Sequence, residues 1–136
     1  MGIARNVLVT GAAGRIGAAI VRAFVALGDR VVATDHNAAG LATMTAALGQ
    51  HAAVTALPAD IAEEAEVERV VATAIATLGQ LDLLINCAGI FPNAPVVAMA
   101  TAEWDRVYNV NVRALHAQSG GRTSHARGGP ARRDRQ

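Results

Sequence analysis

Apolar and polar residues along the first 116 positions alternate between two spacings. Four short apolar runs predict strands, at 6–10, 30–34, 52–57 and 81–86. Apolar residues at helical spacing predict the intervening and final helices, at 15–28, 38–48, 62–78 and 102–116. Gly28 and Gly49 are stop signals for the first two helices, and we expect Thr101 to cap the last.

The order of these elements predicts the fold class. Strands and helices alternate, and connections between successive parallel strands are right-handed, so helices cover both faces of the sheet. We therefore expect an α/β, doubly wound parallel sheet that is truncated after about four strands.

Composition separates an ordered domain from a polar tail. Hydrophobic residues make up 52% of the chain and aromatic residues only 3%, so the core is expected to consist of Ala, Val, Leu and Ile. Residues 1–116 hold seven arginines and ten acidic residues, whereas 117–136 hold five arginines and one aspartate. The glycine-rich tail cannot bury enough apolar surface to offset the entropy of ordering. We expect an ordered domain over 1–117 and a disordered Arg/Gly-rich tail over 118–136.

Several classes of protein are disfavoured. The single cysteine, Cys87, excludes internal disulfides and a cysteine-based zinc site, and we expect no metal site. No apolar run reaches the ~18 residues of a membrane span, and no signal peptide precedes the first strand, which favours a soluble cytoplasmic protein. The arginines of the tail could bind nucleic acid through its phosphates, but no aromatic residue lies there to stack on bases. Nucleic acid is therefore not expected as a partner.

The loop after the first strand carries the candidate chemistry. It reads Thr10-Gly-Ala-Ala-Gly-Arg-Ile-Gly17, with a strand before it and a helix after it. Glycines permit a tight turn, close approach of a diphosphate and close packing of the helix, whose free N–H groups favour phosphate. An ordinary strand–helix turn is the alternative. The flanking elements favour a dinucleotide site.

Asp35 ends the second predicted strand, 18 positions after Gly17. A carboxylate at this position hydrogen-bonds the 2′-hydroxyl of a ribose and repels a 2′-phosphate, so NAD is favoured over NADP. Arg15 and His36 have the opposite effect. Asp35 could also cap the following helix, with or without a role in binding.

Together these motifs resemble the short-chain dehydrogenase/reductase family, in its single-domain branch, over about residues 4–116. The resemblance rests on the glycine loop, Asp35, Asp60-Ile61, Asn86-Cys-Ala-Gly89 and Asn109-Val-Asn111. It implies the cofactor-binding part of a Rossmann-like fold, and hydride transfer between NAD(H) and an alcohol or carbonyl substrate. Two departures stand out: Cys87 replaces the second Asn of the Asn-Asn-Ala-Gly signature, and Arg15 stands where this branch usually has its middle glycine.

The resemblance implies cofactor contacts at twelve positions: Thr10, Gly11, Gly14, Arg15, Ile16, Gly17, Asp35, Asp60, Ile61, Asn86, Ala88 and Gly89. In the family the residue matching Asp60 approaches the adenine. The same residue also fits a capping box with Glu63 for the helix at 62–78. Ala88 and Gly89 would let the adenosine lie close, or would merely end a strand. For Cys87 we expect a small buried hydrophobic residue rather than a reactive thiol.

Asn111 is the candidate catalytic residue. It falls on a helix face with Trp104 and Tyr108, together with Val107 and Leu115. A buried amide on such a face needs partners, so a satisfied core asparagine is one interpretation. The resemblance implies the other, in which this residue bends the helix and holds a water for a proton relay.

The proton donor of the family has no counterpart in this chain. The family uses Tyr-x-x-x-Lys and a serine, whereas Tyr108 is the single tyrosine here, its partner four positions on is Val112, and lysine is absent. General acid–base catalysis contributes ~10²–10⁴-fold, so we expect an inactive truncated oxidoreductase or a non-catalytic NAD(P)-binding module. The abrupt change in composition after residue 116 suggests a frameshift, with splicing or designed truncation as alternatives. The strand at 81–86 would then be an exposed edge that favours self-association.

Overall fold

The computed structural model describes residues 2–118, and the following statements refer to that part of the chain. Its strands are β1 (Asn6–Thr10), β2 (Arg30–Asp35), β3 (Val54–Pro58) and β4 (Leu83–Asn86). Its helices are α1 (Arg15–Ala26), α2 (Ala38–Leu48), α3 (Glu64–Leu78) and α4 (Thr101–Tyr108). A 3₁₀ turn at Val96–Ala98 precedes α4, and a π-helical turn at Asn109–Arg113 leads from α4 into helical residues 114–118.

The four strands form one parallel sheet in the order β3-β2-β1-β4. Val9 of β1 lies in register with Ala33 of β2 on one side and with Ile85 of β4 on the other. The chain thus builds outward from β1 to β3 and then returns to the opposite side of β1. The carboxyl ends of the strands at such a reversal are where open α/β sheets bind ligands. The doubly wound α/β fold predicted from the sequence is confirmed.

Each face of the sheet has its own apolar cluster. Alternate residues of β1 point to opposite faces, so Val7 and Val9 belong to one cluster and Leu8 to the other. Residues of α1 and α2 pack on the first face, and residues of α3 pack on the second. β1 is buried along its whole length because helices cover both of its faces.

The amino ends of the strands are tied together by charged side chains. Asp29, which directly precedes β2, accepts hydrogen bonds from the backbone N–H of Arg5 at 2.8 Å and from its Nη2 at 2.6 Å. Arg30 donates to the carbonyls of Thr77 and Leu78 at the end of α3, both at 3.0 Å. These contacts fix β1, β2 and α3 relative to one another, at the edge of the sheet opposite the strands' carboxyl ends.

Two predicted helix starts are wrong. The side chain of Asp60 accepts a hydrogen bond from the N–H of Ala62 at 3.0 Å, in a turn before α3, and the helix is preceded by Glu63 without a side-chain cap. The capping-box interpretation therefore fails, because the helix begins at Glu64. Thr101 is the first residue of α4 rather than its cap, and the capping position is Ala100.

The face of α4 expected to be buried is exposed. Trp104 is 56% and Tyr108 50% exposed, whereas Val110 and Ala114 are buried at a spacing of four. The sequence carries two apolar stripes here, and the stripe with Val110 and Ala114 packs instead of the stripe with the aromatic residues.

The predicted disordered tail starts at a residue that the structure describes. Gln118 is helical and 2% exposed, so the predicted start of disorder at this residue is wrong. Residues 119–136 lie outside the described residues.

Between residues 2 and 118, no helix has the length and apolar character needed to cross a lipid bilayer.

Asp29→Asn should make the folded chain less stable at neutral pH but not in strong acid. Hydrogen bonds from Arg5 hold the pKa of Asp29 below its ordinary value. A carboxyl group with a lowered folded-state pKa contributes stability above its unfolded-state value of about 4, and this contribution is lost as the pH falls through the folded-state pKa. Urea unfolding should show a loss in Asp29→Asn at pH 7 that becomes smaller as the pH is lowered to about 2.5.

Glu66→Gln is the control for this measurement, because Arg69 also lowers the pKa of Glu66 but the pair lies on the surface. Its effect at pH 7 should be smaller, since exposed ion pairs are screened by water. An Asp29→Asn loss that is the same at both pH values would contradict the role assigned to the charge.

Candidate functional site

A cleft of about 500 Å³ lies at the carboxyl ends of the four strands. Loops after every strand contribute to its walls, and Arg106 and Val110 close it from the helical segment that follows β4. The loop segments are 11–17 after β1, 34–37 at the end of β2, 59–61 after β3 and 87–90 after β4. The cleft therefore coincides with the ligand-binding edge that the topology predicts.

Two glycines of the first loop are required by its packing. Gly11 has φ +67°, and a Cβ there would lie 2.7 Å from the backbone of Ala88. Gly17 is buried, and a Cβ there would collide with the carbonyl oxygen of Gly11. The roles predicted for them, a turn at positive φ and close packing of the helix, both have a structural counterpart. Gly14 is exposed in the cleft, where a Cβ would meet only the oxygen of Gly11 at 3.3 Å.

The N-terminus of α1 opens into the cleft without a cap. Its first α-helical hydrogen bond runs from the N–H of Ala18 to the carbonyl of Gly14 at 2.9 Å, so the N–H groups of residues 15–17 have no partner within the helix. No side chain caps this end, and its first turn has no acidic residue. Free N–H groups and the positive end of the helix dipole together favour an anion such as phosphate.

Asp35 links the end of β2 to the first loop. Its side chain is 9% exposed; one oxygen accepts from the N–H of Ala13 at 3.0 Å and the other from that of Asn37 at 2.9 Å. His36 Nδ1 lies 3.3 Å from the second oxygen. A carboxylate has about four acceptor sites, so these contacts leave room for a further donor. Asp35 is not the cap of α2, because Asn37 fills that position and accepts from the N–H of Gly40.

Thr10 holds the end of β4 against β1. Its Oγ accepts from the N–H of Ala88 at 3.3 Å and lies 3.5 Å from the carbonyl of Ile85, to which it donates. Thr10 itself is buried and does not line the cleft. Asn86 pairs in register with Thr10, is exposed, and also does not line the cleft.

Asn111 is bonded through both atoms of its amide. Its Oδ1 accepts from the N–H of Ile90, and its Nδ2 donates to the carbonyl of Ile90, both at 2.9 Å. The residue is half-buried within the π-helical turn. π-turns frequently occur at functional positions in helices. These two bonds satisfy the amide and tie it to the loop after β4, as the satisfied-amide interpretation expects, and the catalytic role of Asn111 stays a prediction.

The structure brings ten of the predicted cofactor residues to the cleft and leaves two outside it. The ten are Gly11, Gly14, Arg15, Ile16, Gly17, Asp35, Asp60, Ile61, Ala88 and Gly89. Sequence reasoning missed Arg106 and Val110, which also line it, because helical spacing does not show which residues of a helix reach a cleft. Cys87 is half-buried and contributes to the same wall. No cluster of metal-ligand side chains occurs within the described part of the chain.

Comparison with known proteins supports the resemblance that the motifs carry. A family model described as short chain dehydrogenase matches residues 5–120. D-threitol dehydrogenase of Mycolicibacterium smegmatis is 37% identical over 106 residues, covering 77% of this chain and 41% of that protein. Galactitol 2-dehydrogenase of Agrobacterium fabrum is 33% identical over 126 residues, covering 90% of this chain and 48% of that protein. The chain thus spans less than half the length of these two relatives.

Solved structures of longer proteins share the fold. A short chain dehydrogenase from Mycobacterium smegmatis has a TM-score of 0.84 at 31% identity, covering 93% of this chain and 53% of that one. The 3-ketoacyl-(acyl-carrier-protein) reductase from Brucella melitensis, complexed with NADH, has a TM-score of 0.81 at 29% identity, covering 89% of this chain and 49% of that one. A blue fluorescent protein from a metagenomic library, in complex with NADPH, has a TM-score of 0.81 at 32% identity, covering 88% of this chain and 50% of that one. These neighbours include complexes with both dinucleotides.

Gly17→Ala should distort the first loop, because its Cβ would meet a backbone oxygen that cannot rotate away. We expect a loss of about 1–3 kcal/mol in the free energy of unfolding, as for other overpacked sites. Gly14→Ala is the matched control: it has φ −73° and more space, so its loss should be clearly smaller. Urea unfolding of the full chain measures both, and equal losses would contradict the packing role of Gly17.

Proposed function

Because the chain belongs to the short-chain dehydrogenase family, we propose that its cleft binds NAD(H) for hydride transfer to or from a small alcohol or carbonyl substrate. The observation that carries this proposal is the uncapped N-terminus of α1 beside the carboxylate of Asp35. One of these groups suits a diphosphate and the other suits a ribose, and a dinucleotide contains both. When bound, NADH supplies the hydride.

The residues at the end of α1 are proposed to hold the pyrophosphate. The N–H groups of residues 15–17 can donate to its oxygens, and the absence of a Cβ at Gly14 lets it approach the backbone. Arg15 lies at the same end of the helix and lines the cleft, which adds a positive charge. Thr10 and Asn86 act indirectly in this proposal, by placing the ends of β1 and β4.

Asp35 is proposed to select NAD over NADP. Its free acceptor capacity suits a ribose hydroxyl, and its negative charge repels a 2′-phosphate. Arg15 and His36 line the same cleft, and positive charge on these side chains weakens the preference. Asp60 and Ile61, with Ala88 and Gly89, would surround the adenosine on the remaining walls of the cleft.

Turnover needs a proton donor that this sequence does not supply. Tyr108 is 50% exposed on α4, does not line the cleft, and has Val112 rather than lysine four positions on. A second candidate function is an NAD(P)-binding module, because the cleft offers groups suited to phosphate and ribose without needing a proton donor. A substrate-dependent change in absorbance at 340 nm, the band of NADH, would separate the oxidoreductase from the binding module. We propose a cytoplasmic location for the chain with either function.

Calorimetry with NADH and NADPH tests the cofactor assignment. The 136-residue chain should bind NADH saturably and more tightly than NADPH. Asp35→Asn should weaken NADH binding by roughly tenfold, because a hydrogen bond to a charged group is lost, and should bring the two dissociation constants together. Asp60→Asn is the matched control and should leave the ratio of the two constants unchanged. Absence of saturable binding of either dinucleotide would overturn the proposed function.

The free edge of β4 is proposed to mediate self-association. β4 pairs with β1 on one side, and within residues 2–118 no strand pairs with its other side. An unpaired apolar strand edge is a template for another chain. Light scattering should show a mass that rises with protein concentration. A uniform monomer at high concentration would contradict this proposal.

A further inference from the structure

Arg106 is a positively charged residue in the cleft that no motif explains. It lies on α4, is exposed, and lines the cleft together with Val110, one helical turn further on. Among residues 2–118, no side-chain hydrogen bond or ion pair engages its guanidinium, although Asp60 lines the same cleft. The group is therefore available to a ligand.

The fold places Arg106 away from the end of α1. α1 packs on the first face of the sheet, where Ala18 and Val21 belong to the first cluster. The helical segment after α4 lies on the other face, where Ala117 packs against the second cluster together with Ile61. Arg106 and Val110 thus approach the cleft from the side of α3, the side to which Ile61 also belongs.

This side of the cleft is suited to an aromatic base rather than to a phosphate. Its walls are small or apolar at Ile61, Ala88, Gly89 and Val110, and the uncapped N-terminus of α1 lies on the side of the first cluster. The carboxylate of Asp60 is an acceptor at its rim and would repel a phosphate. In the proposed function, α1 takes the pyrophosphate and Asp35 the ribose, which leaves the adenine for this side.

We propose that Arg106 covers the adenine of the bound dinucleotide by stacking its guanidinium on the base. A guanidinium is planar, weakly hydrated and attracted to aromatic faces, and arginines stack on bases in nucleic-acid complexes in this way. Arg106 would then set the affinity for the adenosine half of the cofactor without contacting the reacting half. This inference rests on the proposed function, because it requires that a dinucleotide occupies the cleft.

The test compares Arg106→Ala with Arg113→Ala in the full chain. Arg113 lies on the same helical segment and is exposed, but it does not line the cleft. Dissociation constants are measured for NADH, NADPH, ADP-ribose, adenosine and reduced nicotinamide mononucleotide, the weak ligands by chemical-shift titration. Arg106→Gln provides a second variant, and circular dichroism checks that each variant folds.

Arg106→Ala should weaken NADH, ADP-ribose and adenosine alike, by roughly three- to tenfold, which is the size of a cation–π contact. It should leave nicotinamide mononucleotide unchanged, and Arg113→Ala should change none of the ligands. Weaker binding of NADH and ADP-ribose with unchanged binding of adenosine, or a loss confined to NADPH, would assign Arg106 to a phosphate and overturn the stacking. Normal NADH binding in both variants would overturn the inference alone, whereas no NADH binding by the unsubstituted chain would overturn the proposed function and the inference together.

Discussion

The close approach of three backbone segments at Gly11 is the constraint on which the cleft depends. Gly11 lies against the backbone of Ala88 on one side, and Gly17 packs against the carbonyl oxygen of Gly11 on the other. A Cβ at either glycine would separate these segments, because backbone atoms cannot rotate aside as side chains do. The first loop, the start of α1 and the end of β4 are therefore fixed together at the carboxyl edge of the sheet.

Polar contacts complete this arrangement without closing the site. Asp35 joins the first loop to the end of β2, Thr10 joins β1 to the segment after β4, and Asn111 fixes Ile90. None of these side chains occupies the N–H groups at the start of α1. The result is a rigid frame in which the groups suited to phosphate remain free, and such preorganised donors bind without a further ordering cost.

Local patterns were sufficient for the sheet and for the first loop, because both depend on short-range steric rules. Apolar runs marked the strands, and glycine spacing marked the turn that Gly11 adopts. The cap predicted at Thr101 and the capping alternative for Asp60 are wrong because such side chains can bond in several local turns, and only the start of the helix decides between them. Trp104 was expected to be buried because periodicity shows an apolar stripe but not its partner. Arg106 and the Ile90 contact of Asn111 depend on how α4 meets the sheet, which no local pattern encodes.

NMR spectra of the backbone amides, recorded while NADH is added to the 136-residue chain, test most directly whether this frame binds a dinucleotide. The largest shifts should saturate together and fall on residues 14–17, at the start of α1, on 35–37 and on 88–90. Shifts confined to the amino ends of the strands, around Arg5 and Asp29, would contradict the assigned site. So would unchanged spectra at millimolar NADH.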